Sequence, residues 1–240
     1  MPSGAVWFTT TRWSVVLAAG SPDAPASVRA LETLCAAYWY PLYAWLRRQG
    51  HRVPEAQDLT QSFFGHLLQH QRLQQVDPAR GKFRSFLLGA LKHFVANEWD
   101  KARAIKRGGQ FRFVSIDDGQ AEVRFAREIP GGAAPDLAFE RSWATTLLEG
   151  VIGRLRDEYL GNGKGALFDA LQIYLSGDRG AMPYGEMQAR LGLGEGALKM
   201  AVLRLRRRFG ELLREEIAHT VSRPEEVDAE IRALFAAVSR

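Results

Sequence analysis

Lys199, Arg204, Arg206, Arg207 and Arg208 put five cations on a segment that also carries Leu198, Val202, Leu205, Phe209, Leu212 and Leu213. The apolar residues recur at helical spacing, so one face is buried and the cations lie around the remainder. Just ahead, Arg190-Leu191-Gly192-Leu193-Gly194 marks a sharp turn, because glycine reaches left-handed backbone angles cheaply. Pro183 starts a shorter helix through Arg190, and the second helix begins near Gly194 or Glu195. Two helices joined in this way can lay the second in the major groove of DNA, where its N-terminal residues reach base edges. Those residues are Glu195, Ala197, Lys199, Met200 and Leu203; Arg204, Arg207 and the neighbouring arginines neutralise phosphates, which gives affinity without sequence information.

A second stretch suits single strands. Phe83-Arg84-Ser85-Phe86 opens it, and Lys92-His93-Phe94-Val95-Ala96-Asn97-Glu98-Trp99-Asp100-Lys101-Ala102-Arg103-Ala104-Ile105-Lys106-Arg107 continues it. Rings interleaved with Lys, Arg, His and Asn fit unstacked bases beside a phosphate backbone. Phe83, Phe86 and Phe94 are expected in the core, which leaves Trp99 and the Lys101, Arg103, Lys106, Arg107 cluster as the better contacts.

Catalytic patterns are weak by comparison. His66 and His70 stand four apart but lack a third ligand at recognisable spacing. Gly161-Asn162-Gly163-Lys164-Gly165 has no Ser or Thr after its lysine and reads as a turn, not a phosphate loop. Ser142, His93 and Asp136 lack a nucleophile elbow, and Cys35 lies on an aromatic helical face as packing. The expectation is a binding protein, not an enzyme, with no cofactor, no metal and no small-molecule substrate.

The 240 residues carry 32 Lys and Arg against 27 Asp and Glu, a net charge of +5 that favours polyanionic partners. A hydrophobic share of 46% suits globular cores. The single cysteine builds no disulfide framework and fits a reducing cytoplasm. No apolar run approaches the roughly 20 residues of a membrane span, and Val15-Val16-Leu17-Ala18-Ala19 is too short and wrongly flanked for a signal peptide.

The positioning elements read as helices throughout. Val28 to Gly50 is helical but broken at Pro41; Pro54 opens the next helix; Phe83 to Arg107 is a third. Gly108 to Pro135, with Gly108-Gly109, Asp117-Asp118-Gly119 and Pro130-Gly131-Gly132, is the best linker candidate. Helical periodicity returns at Leu137 and runs to Tyr159; Leu167 to Leu175 follows, then the helix pair, then a short helix after Pro224. The expected architecture is all-α: an N-terminal extension (1–27), a helical domain (28–107), a Gly/Pro-rich linker (108–136), a helix-turn-helix domain (137–218) and a C-terminal extension (219–240).

This order resembles the extracytoplasmic-function (ECF) group of bacterial sigma-70-type RNA polymerase sigma factors, over residues 28–107 and 140–216. Glu55-Ala56-Gln57-Asp58-Leu59-Thr60-Gln61-Ser62-Phe63-Phe64 looks like the family's polymerase-binding helix, which implies core contacts by Asp58, Gln61 and Ser62. Phe83 through Arg107 looks like the segment that melts and reads the −10 element, which implies Lys92, His93, Asn97, Trp99, Lys101, Arg103, Lys106 and Arg107. Tyr184 through Arg208 is similar to the −35-reading domain, with Lys199 and Arg204 where the family usually has basic residues. The chain departs from the pattern in having His93 and Asn97 for the usual Asn and Asp, Phe86 for a Trp, and Gln188 for a small residue. The resemblance implies core RNA polymerase and promoter DNA as partners, and allows an anti-sigma or other regulatory protein. The competing readings are a standalone helix-turn-helix regulator and an all-helical adaptor with merely solvated basic faces.

Overall fold

The computed structural model describes residues 24–69, 82–104, 118–128, 134–175, 182–218, 220–221 and 223–239. Among these every regular element is helical. Nine α-helices follow in order: α1 (Ala24–Arg48), α2 (Val53–Gln69), α3 (Phe83–Ala104), α4 (Asp118–Arg127), α5 (Pro135–Gly161), α6 (Gly165–Leu171), α7 (Tyr184–Leu191), α8 (Glu195–Ala218) and α9 (Val227–Val238). Short 3₁₀ turns at Gln172–Tyr174 and Pro224–Glu226 follow α6 and precede α9. No described helix is long and apolar enough to cross a membrane. By compactness the chain divides into two units, one of residues 148–216 and one that joins the described residues up to 147 with residues 217–239.

In the larger unit α1 supplies the densest run of buried side chains. Tyr38, Leu42, Tyr43, Ala44 and Leu46 are at most 1% exposed, and Trp39, Tyr40 and Trp45 are buried beside them. This burial corrects the expected break at Pro41, which lies inside an unbroken helix. A mid-helix proline costs roughly 3 kcal/mol, whereas burying even two large side chains contributes about as much. The helix ends where Gly50 takes φ +93°, and the His51 amide folds back to the Leu46 carbonyl at 3.3 Å.

Helices α2 and α3 pack through Phe63 and Phe94, whose ring centres are 5.7 Å apart. Ala56, Phe63, Phe64 and Leu67 are buried on α2, and Phe83, Leu87, Leu88, Leu91 and Phe94 on α3. The Phe83 ring meets Tyr38 of α1 edge-on at 5.6 Å. Phe83 and Phe94 are thus core residues, as expected, whereas Phe86, also expected in the core, is only half-buried.

Helix α4 occupies part of the stretch expected to be a linker. Ten residues make a helix too short to persist unaided, and side chains at its edge hold it. Arg47 Nε donates to Glu122 Oε1 at 2.9 Å, and Tyr43 donates to the same oxygen. Arg48 Nη2 donates to Glu128 Oε2 at 3.0 Å, just past the end of α4. The Phe125 ring lies 5.1 Å from the guanidinium carbon of Arg47 and 5.1 Å from that of Arg48. Glycines flanking the segment suggest a flexible connection; two arginines and a tyrosine on α1 give its middle a fixed place. The boundary between the compact units falls after Leu147, inside α5, and not in the stretch 108–136.

Helix α9 belongs to this larger unit, so residues beyond 218 are more than an appendage. Its Glu230 is 3% exposed and Arg84 of α3 is 4% exposed. Arg84 Nη1 donates to Glu230, Arg84 Nε to Glu140 Oε2 at 2.6 Å, and Lys82 Nζ reaches Glu230 Oε2 at 2.6 Å. The guanidinium lies 4.0 Å from the Trp143 ring centre. Buried charges persist only when paired and hydrogen-bonded, and this cluster satisfies both charges from three helices.

The smaller unit is built on Val151 and Leu155 of α5, Phe168 and Leu171 of α6, Tyr174, Met187 of α7, and Leu198, Val202, Leu205, Leu212 and Leu213 of α8, all buried. Gly163, at φ +67°, turns the chain between α5 and α6, as its glycine-rich surroundings predict.

Candidate nucleic-acid interface

Pro183 caps α7 in an extended conformation (φ −55°, ψ 144°), which suits a residue with no amide hydrogen to donate. Helix α7 stops at Gly192, left-handed at φ +65° and ψ 27°. Gln188 O accepts from the Gly192 amide and, at 3.2 Å, from the Leu193 amide, so this carbonyl in the last turn is satisfied twice within the turn. Helix α8 then begins at Glu195, with the Leu198 amide bonded to Gly194 O at 3.0 Å. Met187 and Leu198, either side of this turn, are both 0% exposed. A side chain at position 192 would meet no neighbour, so substitution acts through the backbone alone. Gly192→Ala is expected to lower the stability of this unit by about 1–2 kcal/mol, read as a lower urea midpoint. Gly192→Asn is expected to recover most of that loss, since Asn tolerates left-handed angles.

Two ion-pair systems fix α8 on the rest of the unit. Arg208 Nη2 and Nε contact the two Glu158 oxygens at 2.7 and 2.8 Å, a bidentate pair. Hydrogen bonds to Glu158 and Glu211 hold the Arg208 guanidinium well above its usual pKa range. Arg154 pairs with buried Glu216 and reaches Glu215 at 3.3 Å. Arg206 Nε donates to Tyr174 O at 3.0 Å. Of the arginines expected on phosphates, Arg208 is therefore engaged with the protein and positions the helix, and Arg206 is exposed but tied through its Nε to Tyr174.

The other expected contacts share one face. Glu195, Ala197, Lys199, Met200, Leu203, Arg204 and Arg207 are all exposed. Glu195, Lys199, Leu203 and Arg207 stand four apart and form one line along α8; Met200 and Arg204 form the adjacent line. Within the first, Lys199 Nζ lies 2.5 Å from Glu195 Oε1. Their hydrogen bond holds the carboxyl below its usual range and the ammonium above its own. Such an exposed pair is weak and opens to an incoming phosphate or base at little cost. Arg207 bonds Glu211 in the same i,i+4 manner at 2.9 Å.

The candidate contacts of the larger unit are more dispersed. Asp58 and Ser62 are exposed on α2 and Gln61 is half-buried. Lys92, His93 and Asn97 are exposed on α3. Lys92 Nζ is 2.6 Å from Asp136 Oδ2 and 5.9 Å from the Trp45 ring centre, and Trp45 Nε1 donates to Asp136 Oδ1 at 3.2 Å. Hydrogen bonding from Lys92 holds the Asp136 carboxyl below its usual range. Helix α3 passes through Trp99, Lys101 and Arg103, but those side chains lie outside the described residues, as do Lys106, Arg107 and His70. Among the described residues no group of three metal-ligating side chains occurs. Of the Ser142, His93 and Asp136 set, Ser142 is buried and donates to Glu128 Oε1 at 3.1 Å, while His93 and Asp136 are exposed.

Sequence reasoning missed the cluster around Arg84. Its signal is faint: a lone arginine between two phenylalanines on an otherwise apolar helical face. No family model matches the chain, and no curated protein or solved structure matches it significantly.

Proposed function

We propose that this chain is a sigma factor of the extracytoplasmic-function type, which binds core RNA polymerase and directs promoter recognition, −10 melting and initiation in the cytoplasm. One observation carries the reading: a left-handed glycine turn joins α7 to an α8 whose exposed face presents Lys199, Arg204 and Arg207 while Leu198, Val202 and Leu205 are buried. That geometry suits insertion into a major groove. The face would read the −35 element. The exposed part of α3, with Lys92, His93 and Asn97 and continuing toward Trp99, Lys101, Arg103, Lys106 and Arg107, would capture −10 bases, each offsetting part of the unstacking cost. Asp58, Gln61 and Ser62 on α2 would contact core polymerase. The work is binding, with no covalent step by this chain.

The test is binding to purified core RNA polymerase, followed by open-complex formation on a promoter library. Stable core binding and enrichment of two-element promoters are the expected results. Asp58→Ala with Gln61→Ala is expected to weaken core binding at least tenfold, about 1.4 kcal/mol or more, measured by fluorescence anisotropy, with the fold unchanged because both positions lie outside the core.

A standalone helix-turn-helix regulator is the second reading. It is favoured by the fact that every residue of the α8 face falls within residues 148–216, a compact unit of its own. It predicts tight duplex binding without polymerase and no effect of the Asp58 and Gln61 changes.

A further inference from the structure

Two large apolar side chains stand out on the cationic face of α8. Leu203 is 57% exposed and Met200 is 47% exposed. Single exposed apolar residues are ordinary on a protein surface. These two differ in placement: they stand three apart, which makes them neighbours on a helix, and Lys199, Arg204 and Arg207 surround them. Ala197, also exposed, lies one turn N-terminal of Met200.

Charge decides between the surfaces that an apolar pair of this kind would fit. The lysine is 63% exposed and Arg207 is 80% exposed, so the pair sits among charges that keep their water. The buried centre of a protein–protein contact is depleted in charge. A DNA major groove offers the opposite pattern, with phosphates along both walls and, on its floor, one apolar group, the C5-methyl of thymine. Apolar side chains between cations match that arrangement.

We propose that Met200 and Leu203 read thymine methyl groups, so that the preferred duplex carries thymines at two neighbouring positions facing the middle of α8. The proposal rests on the DNA-binding reading of the same face. It assigns to the apolar residues the preference for thymine, and to the arginines beside them the affinity. Removing one such methyl should cost about fourfold in affinity, the effect of exposing a single buried methyl group.

The full chain, with core RNA polymerase, is used to select duplexes from a random library. Each thymine of the selected site is then replaced by deoxyuridine, which lacks only the methyl. Expected are enriched thymines at two neighbouring positions, an affinity loss of about fourfold at each, and removal of one sensitivity by Leu203→Ala and the other by Met200→Ala. Salt dependence should be unchanged in both variants, because no cation is removed. Both residues are exposed, so neither change threatens the fold. Selection without thymine enrichment, or binding indifferent to deoxyuridine, overturns the proposal while leaving DNA binding intact. Loss of polymerase binding in the two variants overturns it in favour of a protein contact. Failure to select any duplex overturns the DNA-binding reading itself, and this proposal with it.

Discussion

Glu230→Ala is expected to destabilise the larger unit by about 3 kcal/mol, the low end of the cost of breaking a buried ion pair. Glu230 is 3% exposed and meets both Arg84 and Lys82. Its loss leaves the Arg84 guanidinium, itself buried, with Glu140 as its remaining carboxylate and Trp143 beneath it. For a chain of this size the corresponding drop in Tm is roughly 6–12 °C, measured by calorimetry. The smaller unit contains none of these residues, so if the units melt separately only one transition should move. Replacing Arg84 and Glu230 together by apolar residues of similar volume should recover much of the loss, because the larger cost lies in a charge left buried and unpaired.

The same cluster sets an acid limit. Burial alone would push the Glu230 carboxyl up, but Arg84 and Lys82 beside it pull it further down, so that it lies below the usual carboxylate range. A carboxyl depressed in the folded state stabilises the fold above its unfolded pKa, about 4.3. That stabilisation is lost as pH falls from there through the folded value. Acid unfolding of Glu230→Gln should therefore be less steep below about pH 4.3 than that of the unaltered chain. Equal slopes would show that Glu230 does not release its partner there.

Changing Lys199 and Arg204 together to alanine is expected to cost the largest share of promoter affinity. Lys199 as a base-edge contact is worth about 1–3 kcal/mol and Arg204 as a charge-assisted phosphate contact about 1.5–3 kcal/mol, so loss of both predicts a weakening of roughly 70-fold to 25,000-fold, read by electrophoretic mobility of a selected promoter. Core-polymerase affinity should not move, because both residues lie on the exposed face of α8 and the proposed polymerase contacts lie on α2. If the change weakens core binding and spares DNA binding, the roles assigned to the two helices are reversed. The slope of log affinity against log salt should fall by about one, for Arg204 on a phosphate, and a fall of about two would make Lys199 a phosphate contact as well.

Local signals in this chain were legible and distant ones were not. The turn at Gly192 could be read from sequence because one residue type satisfies its left-handed angles. The split of α8 into buried Leu198, Val202 and Leu205 and exposed Lys199, Arg204 and Arg207 follows from period alone. Pro41 misled because a propensity rule weighs one residue against its neighbours in the chain, whereas its helix is held by burial of nearly every residue around it. Helix α4 was hidden for a related reason: glycine-rich flanks are local, but Arg47 and Arg48 lie far back in the sequence. Arg206 and Arg208 look like their neighbours in sequence; only the positions of Tyr174 and Glu158 give the exposed Arg206 and the half-buried Arg208 partners on other elements of the unit. The Arg84 cluster was the least visible, since no pattern on α3 names a partner on α9.

The separation of Arg84 from Glu230, 146 positions along the chain, also has a consequence for the order of events at the ribosome. At about 5–20 residues per second, the arginine emerges roughly 7–30 s before the carboxylate that will neutralise it. In that interval α1, α2 and α3 exist as nascent chain with a cation facing an unfinished apolar core. The smaller unit, residues 148–216, is synthesised entirely within the same interval. The larger unit is thus completed only after the smaller one has been made, and its exposure to chaperones and proteases is set by how quickly residues 217–239 follow.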